Sequence, residues 1–234
     1  MSNELPDTDD AYAAPRSTEF KNVRFETAQG IARLTLDRPP ANVLSVDLMR
    51  EINAALESLE YQRDVKLVVL AAAGKYFSPG FELGDHSLLA AGCDLVYAGA
   101  SAKFGHPEVK GGVFNPVAAA LLPRLVGRKK AFEMLLGGAS IVAPEAERIG
   151  LITRALPDDK LEAEVAAVVQ RFQDGSAVVL QMARRAMSGG LDLPVADAVR
   201  HAEDIYLNQL MGTEDAEEGL KAVMAKRKPV WKDR

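Results

Sequence analysis

Apolar and polar residues alternate along Val23-Arg-Phe-Glu-Thr27 and again along Ile31-Ala-Arg-Leu-Thr-Leu36, with Gln29-Gly30 between them. Period-two alternation around a glycine turn predicts a β-hairpin. Asp37-Arg-Pro-Pro-Ala-Asn42 then interrupts regular structure, because neither proline can donate a ladder hydrogen bond. After Ser45, a good helix N-cap, Leu48, Ile52, Leu56 and Leu59 recur at helical spacing. Lys66-Leu-Val-Val-Leu-Ala-Ala72 is a nearly continuous apolar run, the pattern of a strand buried on both faces. Strand, helix and buried strand in succession predict a right-handed crossover in a mostly parallel sheet.

Beyond residue 74 the pattern breaks up. Gly74-Lys-Tyr-Phe-Ser-Pro-Gly-Phe-Glu-Leu-Gly-Asp-His-Ser87 places glycines and a proline at the end of a buried strand. It reads either as a ligand-facing loop with free backbone N–H groups or as an ordinary turn. It lacks the spacing of a phosphate loop or a dinucleotide fingerprint. Residues 88–98 are apolar enough to be core, and 119–125 and 129–136 read as helical, the latter up to Gly137-Gly138. Residues 140–150 read as a loop and then a short helix, with Pro144 in its first turn and Gly150 as its stop. Residues 151–156 read as a short strand.

From Asp159 onward the chain reads as helical over 161–172, 176–188 and 195–211, punctuated by Gly175, Gly189-Gly190 and Pro194. A last helix over 213–227 opens on a capping signature, Thr213 followed by Glu214-Asp215. The expected organisation is therefore a flexible leader over 1–19, an α/β core over 20–160 and a helical region over 161–234.

Composition narrows the function. The 234 residues are 48% hydrophobic and 26% charged with net charge −5, which favours neither nucleic acid nor an anionic membrane as partner. No apolar run is long enough to span a bilayer, and residues 1–17 lack the pattern of a signal peptide. The only cysteine, Cys93, cannot form an internal disulfide, which suits a reducing, cytoplasmic setting. No Cys/His/Asp set has metal-ligand spacing, so no metal is expected.

The chemistry concentrates in Ser101-Ala-Lys-Phe-Gly-His-Pro-Glu-Val-Lys-Gly-Gly-Val-Phe-Asn-Pro116, between two apolar segments. Glu108 lies between Pro107, which fixes its own φ, and Gly111-Gly112, which allow close backbone approach. It is either a solvated loop carboxylate or an acid/base group, since burial shifts a carboxyl toward neutrality. His201 reads as a satisfied surface or interface histidine. Tyr206 and Trp231 could serve core, interface or ligand.

Taken together, these segments resemble the enoyl-CoA hydratase/isomerase (crotonase) family from about Val23 onward. The carriers are Leu34-Thr-Leu-Asp-Arg-Pro-Pro-Ala-Asn-Val-Leu44, Gly74-Lys-Tyr-Phe-Ser-Pro-Gly-Phe-Glu-Leu83, Cys93-Asp-Leu-Val-Tyr-Ala98, Ala102-Lys-Phe-Gly-His-Pro-Glu108 and Ala143-Pro-Glu-Ala-Glu-Arg-Ile-Gly-Leu151. Thr213-Glu-Asp-Ala-Glu-Glu-Gly219 and Lys226-Arg-Lys-Pro-Val-Trp231 complete the set in the family's order. Asn115-Pro-Val-Ala-Ala-Ala-Leu-Leu-Pro123 and Lys228-Pro-Val-Trp231 look most like the cyclohexa-1,5-dienecarbonyl-CoA hydratases of aromatic-compound degradation.

The resemblance implies a crotonase-like α/β spiral of ββα turns with a helical C-terminal trimerisation portion, assembled as a homotrimer or dimer of trimers. It implies an acyl-CoA hydratase/lyase whose thioester enolate is held by an oxyanion hole, with coenzyme A as part of the substrate and no further cofactor. By position Phe81 supplies the first oxyanion N–H, and Glu108 falls on a family glutamate that moves a proton at the acyl chain. Coenzyme A would bind along Ala41-Asn42 and Phe81-Glu82-Leu83-Gly84, helped by Lys226.

One part of the family pattern is missing after Ser87. The absent segment carries a helix, a strand and a Gly-Gly-Gly-x-Glu turn, with the second oxyanion donor and a second glutamate. Leu88 stands where that glutamate would be, and it can neither hold water nor transfer a proton. Asp85 and His86, beside the gap, are titratable stand-ins or solvated loop groups. Two further readings follow: an enoyl-CoA isomerase working with a single glutamate, and a non-catalytic protein of the same fold.

Overall fold

The computed structural model describes residues 20–78 and 92–234. The first expectation holds: β1 (Val23–Ala28) and β2 (Ile31–Leu36) are neighbours in one sheet. Gln29 and Gly30 between them both have positive φ, 51° and 76°, as a two-residue hairpin turn of the primed type requires. Helix α1 (Val46–Glu57) starts where Ser45 caps it, its Oγ accepting from Leu48 N at 3.3 Å. Its inward face is Leu48, Ile52 and Ala55, with Leu59 just beyond the helix. Leu56, expected on that face, is 44% exposed, because the tight packing runs through Ala55 instead.

The chain then returns as β3 (Leu67–Ala72) on the far side of β2. Lys66 N bonds Gly30 O at one end and Ala73 N bonds Leu36 O at the other, so both strands run the same way. That is the parallel pairing the crossover pattern predicts. β3 is nonetheless only half-buried, with Val68 39% exposed, where the apolar run predicts burial on both faces. Among the described residues it has one strand neighbour, β2.

By contact the described residues form two compact units, one from 20–24, 35–54, 71–78 and 92–167, the other from 25–34, 55–70 and 168–234. The first holds β4 (Tyr97–Gly99), β5 (Lys103–Gly105), α2 (Pro116–Leu125), α3 (Arg128–Gly137), β6 (Ser140–Val142), α4 (Ala143–Arg148) and β7 (Arg154–Leu156). β4 and β7 pair in parallel, Ala98 opposite Ala155; β5 and β6 pair antiparallel, Phe104 opposite Ile141. Residues 140–142, expected as loop, are thus a strand, since Ser140-Ile-Val142 finds a partner 37 positions earlier in Lys103-Phe-Gly105. An apolar cluster packs these elements together. Ala98, Ala118, Leu122, Ala131, Met134, Ala143, Ala146, Leu151 and Ile152 are all buried in it.

The second unit is mainly helical: α5 (Leu161–Gln173) enters it, followed by α6 (Ala177–Gly190), α7 (Val195–Asn208) and α8 (Glu214–Met224). The helix α6 runs on through Gly189 and ends at Gly190, two residues beyond the expected stop at Ser188. A Cβ at Gly189 would run into His201 Nε2, so α6 and α7 close together on the missing side chain. Among the described residues the buried His201 Nε2 has no hydrogen-bond partner, where the sequence reading expects a satisfied ring. Trp231 donates its indole N–H to Asp174 O at 2.8 Å, and its ring covers Gly219. Among the described residues no helix is long and apolar enough to cross a membrane.

Candidate active site

Glu108 is not a solvated loop carboxylate. Gly105 ends β5, and His106 leads into a 3₁₀ turn, Pro107–Gly111, that carries Glu108 in its first positions. The Glu108 side chain is 4% exposed and that of His106 is 1% exposed. Their side chains meet, His106 Nδ1 to Glu108 Oε1, at 2.9 Å. Such a pair can hold a proton or pass one on while shielded from bulk water.

The local backbone explains why this loop holds the pair so firmly. Pro107 sits at the start of the turn, and Gly112 ends it in the left-handed region at φ 85°, its N–H returning to Glu108 O and Val109 O. Gly112 is needed for that φ. Among the described residues, chain neighbours apart, no atom lies within 4 Å of a Cβ placed there or at Gly111, so these residues make no close approach. A tighter constraint comes from Gly138, the left-handed cap of α3 at φ 58°. A Cβ at Gly138 would stand 2.7 Å from Val109 Cγ1 and 3.3 Å from His106 O. The sequence marks Gly138 only as a helix stop; its packing against the Glu108 turn is a tertiary fact. Past the turn, Asn115 caps α2 by accepting from Val117 N and Ala118 N at 2.8 and 2.9 Å, with Pro116 at the first helical position.

Asn42 is a framework residue. It is 3% exposed at φ 56°, its Oδ1 accepts from Arg38 N, and its Nδ2 donates to Ala73 O and Tyr76 O at 2.8 and 2.9 Å. Its own N–H is bonded to Arg38 O, so of its backbone groups only the carbonyl is left for a ligand by these bonds. Ala41, beside it, is half-buried. These two residues and Glu108 belong to the first unit. Lys226, exposed and at φ 52° just past α8, belongs to the second. Phe81, Glu82, Leu83 and Gly84 lie outside the described residues, as do Asp85, His86 and Leu88. Among the described residues no group of three or more His, Cys, Asp or Glu could hold a metal ion.

Comparison with known proteins bears on the whole chain. The enoyl-CoA hydratase/isomerase family model matches residues 26–88 and 84–234, two stretches that meet beside Ser87. A probable enoyl-CoA hydratase of Rhizobium meliloti (strain 1021) is 31% identical, the alignment covering 92% of this chain and 99% of the relative. That alignment runs over 256 positions, more than the 234 residues of this chain, so the relative carries internal residues that this chain lacks. The cyclohexa-1,5-dienecarbonyl-CoA hydratase of Thauera aromatica is also 31% identical, over 91% of this chain and 96% of its own length. Among solved structures, an enoyl-CoA hydratase of Geobacillus kaustophilus HTA426 superposes with a TM-score of 0.85 at 25% identity, over 93% of this chain and 98% of that one. The fold is accordingly the α/β crotonase fold, and the chain belongs to the enoyl-CoA hydratase/isomerase family.

Proposed function

We propose that this protein is an acyl-CoA hydratase/lyase acting on an enoyl- or cyclic dienoyl-CoA thioester through an enolate held in an oxyanion hole. The observation that carries the reading is the buried carboxylate of Glu108, the family acid/base position, on a turn fixed at both ends. In hydration, water oxygen adds to the β-carbon of the thioester and a proton adds to the α-carbon. Between these events the thioester oxygen carries negative charge. The N–H of Phe81 is the donor assigned to it, and losing one such donor typically costs ~10²–10³ in rate. Coenzyme A is part of the substrate, and no other cofactor enters the scheme. Its contacts are assigned to the backbone at Ala41-Asn42, to Phe81-Glu82-Leu83-Gly84, and to Lys226 as a point charge for phosphate. Likeness to the Thauera aromatica protein supports a cyclic dienoyl substrate from aromatic-compound degradation. A cytoplasmic homotrimer or dimer of trimers is the state in which we expect it to act.

A second reading has its own support. The segment absent after Ser87 would carry the second glutamate, and the family match breaks at that place. Double-bond migration needs one carboxylate that takes a proton from one carbon and returns it to another, with no positioned water. An enoyl-CoA isomerase built on Glu108 alone fits that inventory; a non-catalytic protein of this fold is the remaining alternative.

One experiment separates them. Hydration of a cyclic dienoyl-CoA and double-bond migration in a 3-enoyl-CoA are assayed for the wild type and for Glu108→Gln. A Gln variant that loses ~10²–10⁴ in rate with acyl-CoA affinity retained supports the acid/base role. Migration without hydration selects the isomerase. No turnover of either substrate refutes both enzymatic readings.

A further inference from the structure

His106 is the group that the family role of Glu108 leaves unexplained. Its ring is 1% exposed, yet only one of its two nitrogens has a partner. Nδ1 faces Glu108 Oε1 at 2.9 Å, while Nε2 is buried with no hydrogen bond among the described residues. Buried polar atoms are nearly always bonded, so the exception calls for a reason.

We infer that His106 is a positioning residue: its Nδ1–H donates to Glu108 Oε1 and holds the carboxylate in one orientation for proton transfer. The inference rests on the acid/base reading of Glu108. Two arrangements of a neutral imidazole fit the 2.9 Å contact. In one, Nδ1 carries the proton, the carboxylate accepts, and Nε2 keeps a bare lone pair. In the other, a protonated carboxyl donates to Nδ1, and Nε2–H is left as a buried orphan donor. Orphaned N–H groups are rarer in folded proteins than under-used acceptors, which favours the first.

The backbone supports the same assignment. His106 and Glu108 are two residues apart on a turn whose proline fixes φ between them and whose end is bonded back to Glu108 O. Gly138 leaves room for His106 O and Val109 and no more. With the main chain fixed, rotation of the Glu108 side chain is the freedom that remains, and the Nδ1 contact removes it. Misplacing a reacting group by about 1 Å can cost ~10² in rate, so the contact is worth testing by kinetics.

The test uses His106→Phe, which keeps the ring and removes the donor, and His106→Asn, whose amide nitrogen can stand where Nδ1 stood. With wild-type turnover in hand, the Phe variant is expected to lose about 10–100-fold in kcat with KM within about twofold, and Asn to recover most of the loss. An unchanged kcat for Phe, or an Asn variant as slow as Phe, overturns the inference. A ¹⁵N spectrum of the wild-type imidazole decides the matter separately, including where the Phe variant fails to fold. A protonated Nδ1 supports the assignment, and a bare Nδ1 overturns it. If the wild type turns over neither thioester, the functional reading fails, while the spectrum still reports on the pair.

Discussion

The carboxylate of Asp215, 1% exposed, accepts the backbone N–H of Lys232 at 2.7 Å through one oxygen and that of Asp233 at 3.0 Å through the other. Asp215 N returns the bond to Arg234 O. The first turn of α8 thereby clamps the C-terminal segment. That segment is also tied by Trp231 to Asp174 O, by Asp233 Oδ1 to Ala177 N at 2.8 Å, and by Asp233 to Lys66 at 3.4 Å.

Asp215→Ala removes both acceptors and leaves two backbone donors without their partner. The expected loss is about 1–3 kcal/mol in a urea unfolding series, the cost of leaving a buried donor unsatisfied. Trp231 is the only tryptophan, so its fluorescence reports the release directly. A red shift below the main unfolding transition is expected. Unchanged emission and an unchanged midpoint would mean that the clamp contributes nothing.

Gly138→Ala sets a side chain against Val109 on the turn that carries Glu108, at a left-handed φ that alanine adopts poorly. The fold should lose upward of about 1 kcal/mol, as for alanine at an incompatible positive φ. The reading is again the urea midpoint, with Gly112→Ala as a comparison that meets the φ penalty without any clash.

Acid should weaken the fold through two ion-paired carboxylates. Arg227 and the N–H of Val230 hold Glu218 well below its ordinary 4.5, at about 2. Arg148 and then Lys130 do the same for Glu145, also to about 2. Because the folded values are depressed, the contribution is complete above 4.5 and is lost as pH falls from there toward about 2. In Glu218→Gln and Glu145→Gln, urea midpoints followed across that window should fall less steeply than in the wild type. Added salt should shrink the difference, since exposed pairs are screened.

The second unit exposes several large apolar side chains. Leu191 and Val195 at the α6–α7 corner are 81% and 80% exposed, and Val223 and Met224 at the end of α8 are 78% and 85% exposed. The apolar residues of α7 are divided between inside and outside: Ile205 is 4% exposed and belongs to the chain's own interior, whereas Leu207 is 62% exposed. Light scattering at micromolar concentration should report a mass well above the 25.2 kDa of one chain. A monomer there would refute the expected trimer.

Elements governed by near neighbours in the chain were legible from the sequence alone. The hairpin at Gln29-Gly30, the Ser45 cap and the Thr213 start of α8 all depend on residues within one turn. So, through its ordered motifs, was the family. The strand at Ser140–Val142 was missed because three residues carry no period, and only pairing with Lys103–Gly105 makes them a strand. Gly189 read as a break because a glycine's intrinsic effect is to weaken a helix, yet α7 needs the space it leaves. The site divides in the same way. The sequence singled out Glu108 by its position between a proline and two glycines, but burial is a property of everything packed around a residue. Only the tertiary structure decided that Glu108 is shielded, that Asn42 is occupied as framework, and that the His106 ring stands 2.9 Å from the Glu108 carboxylate.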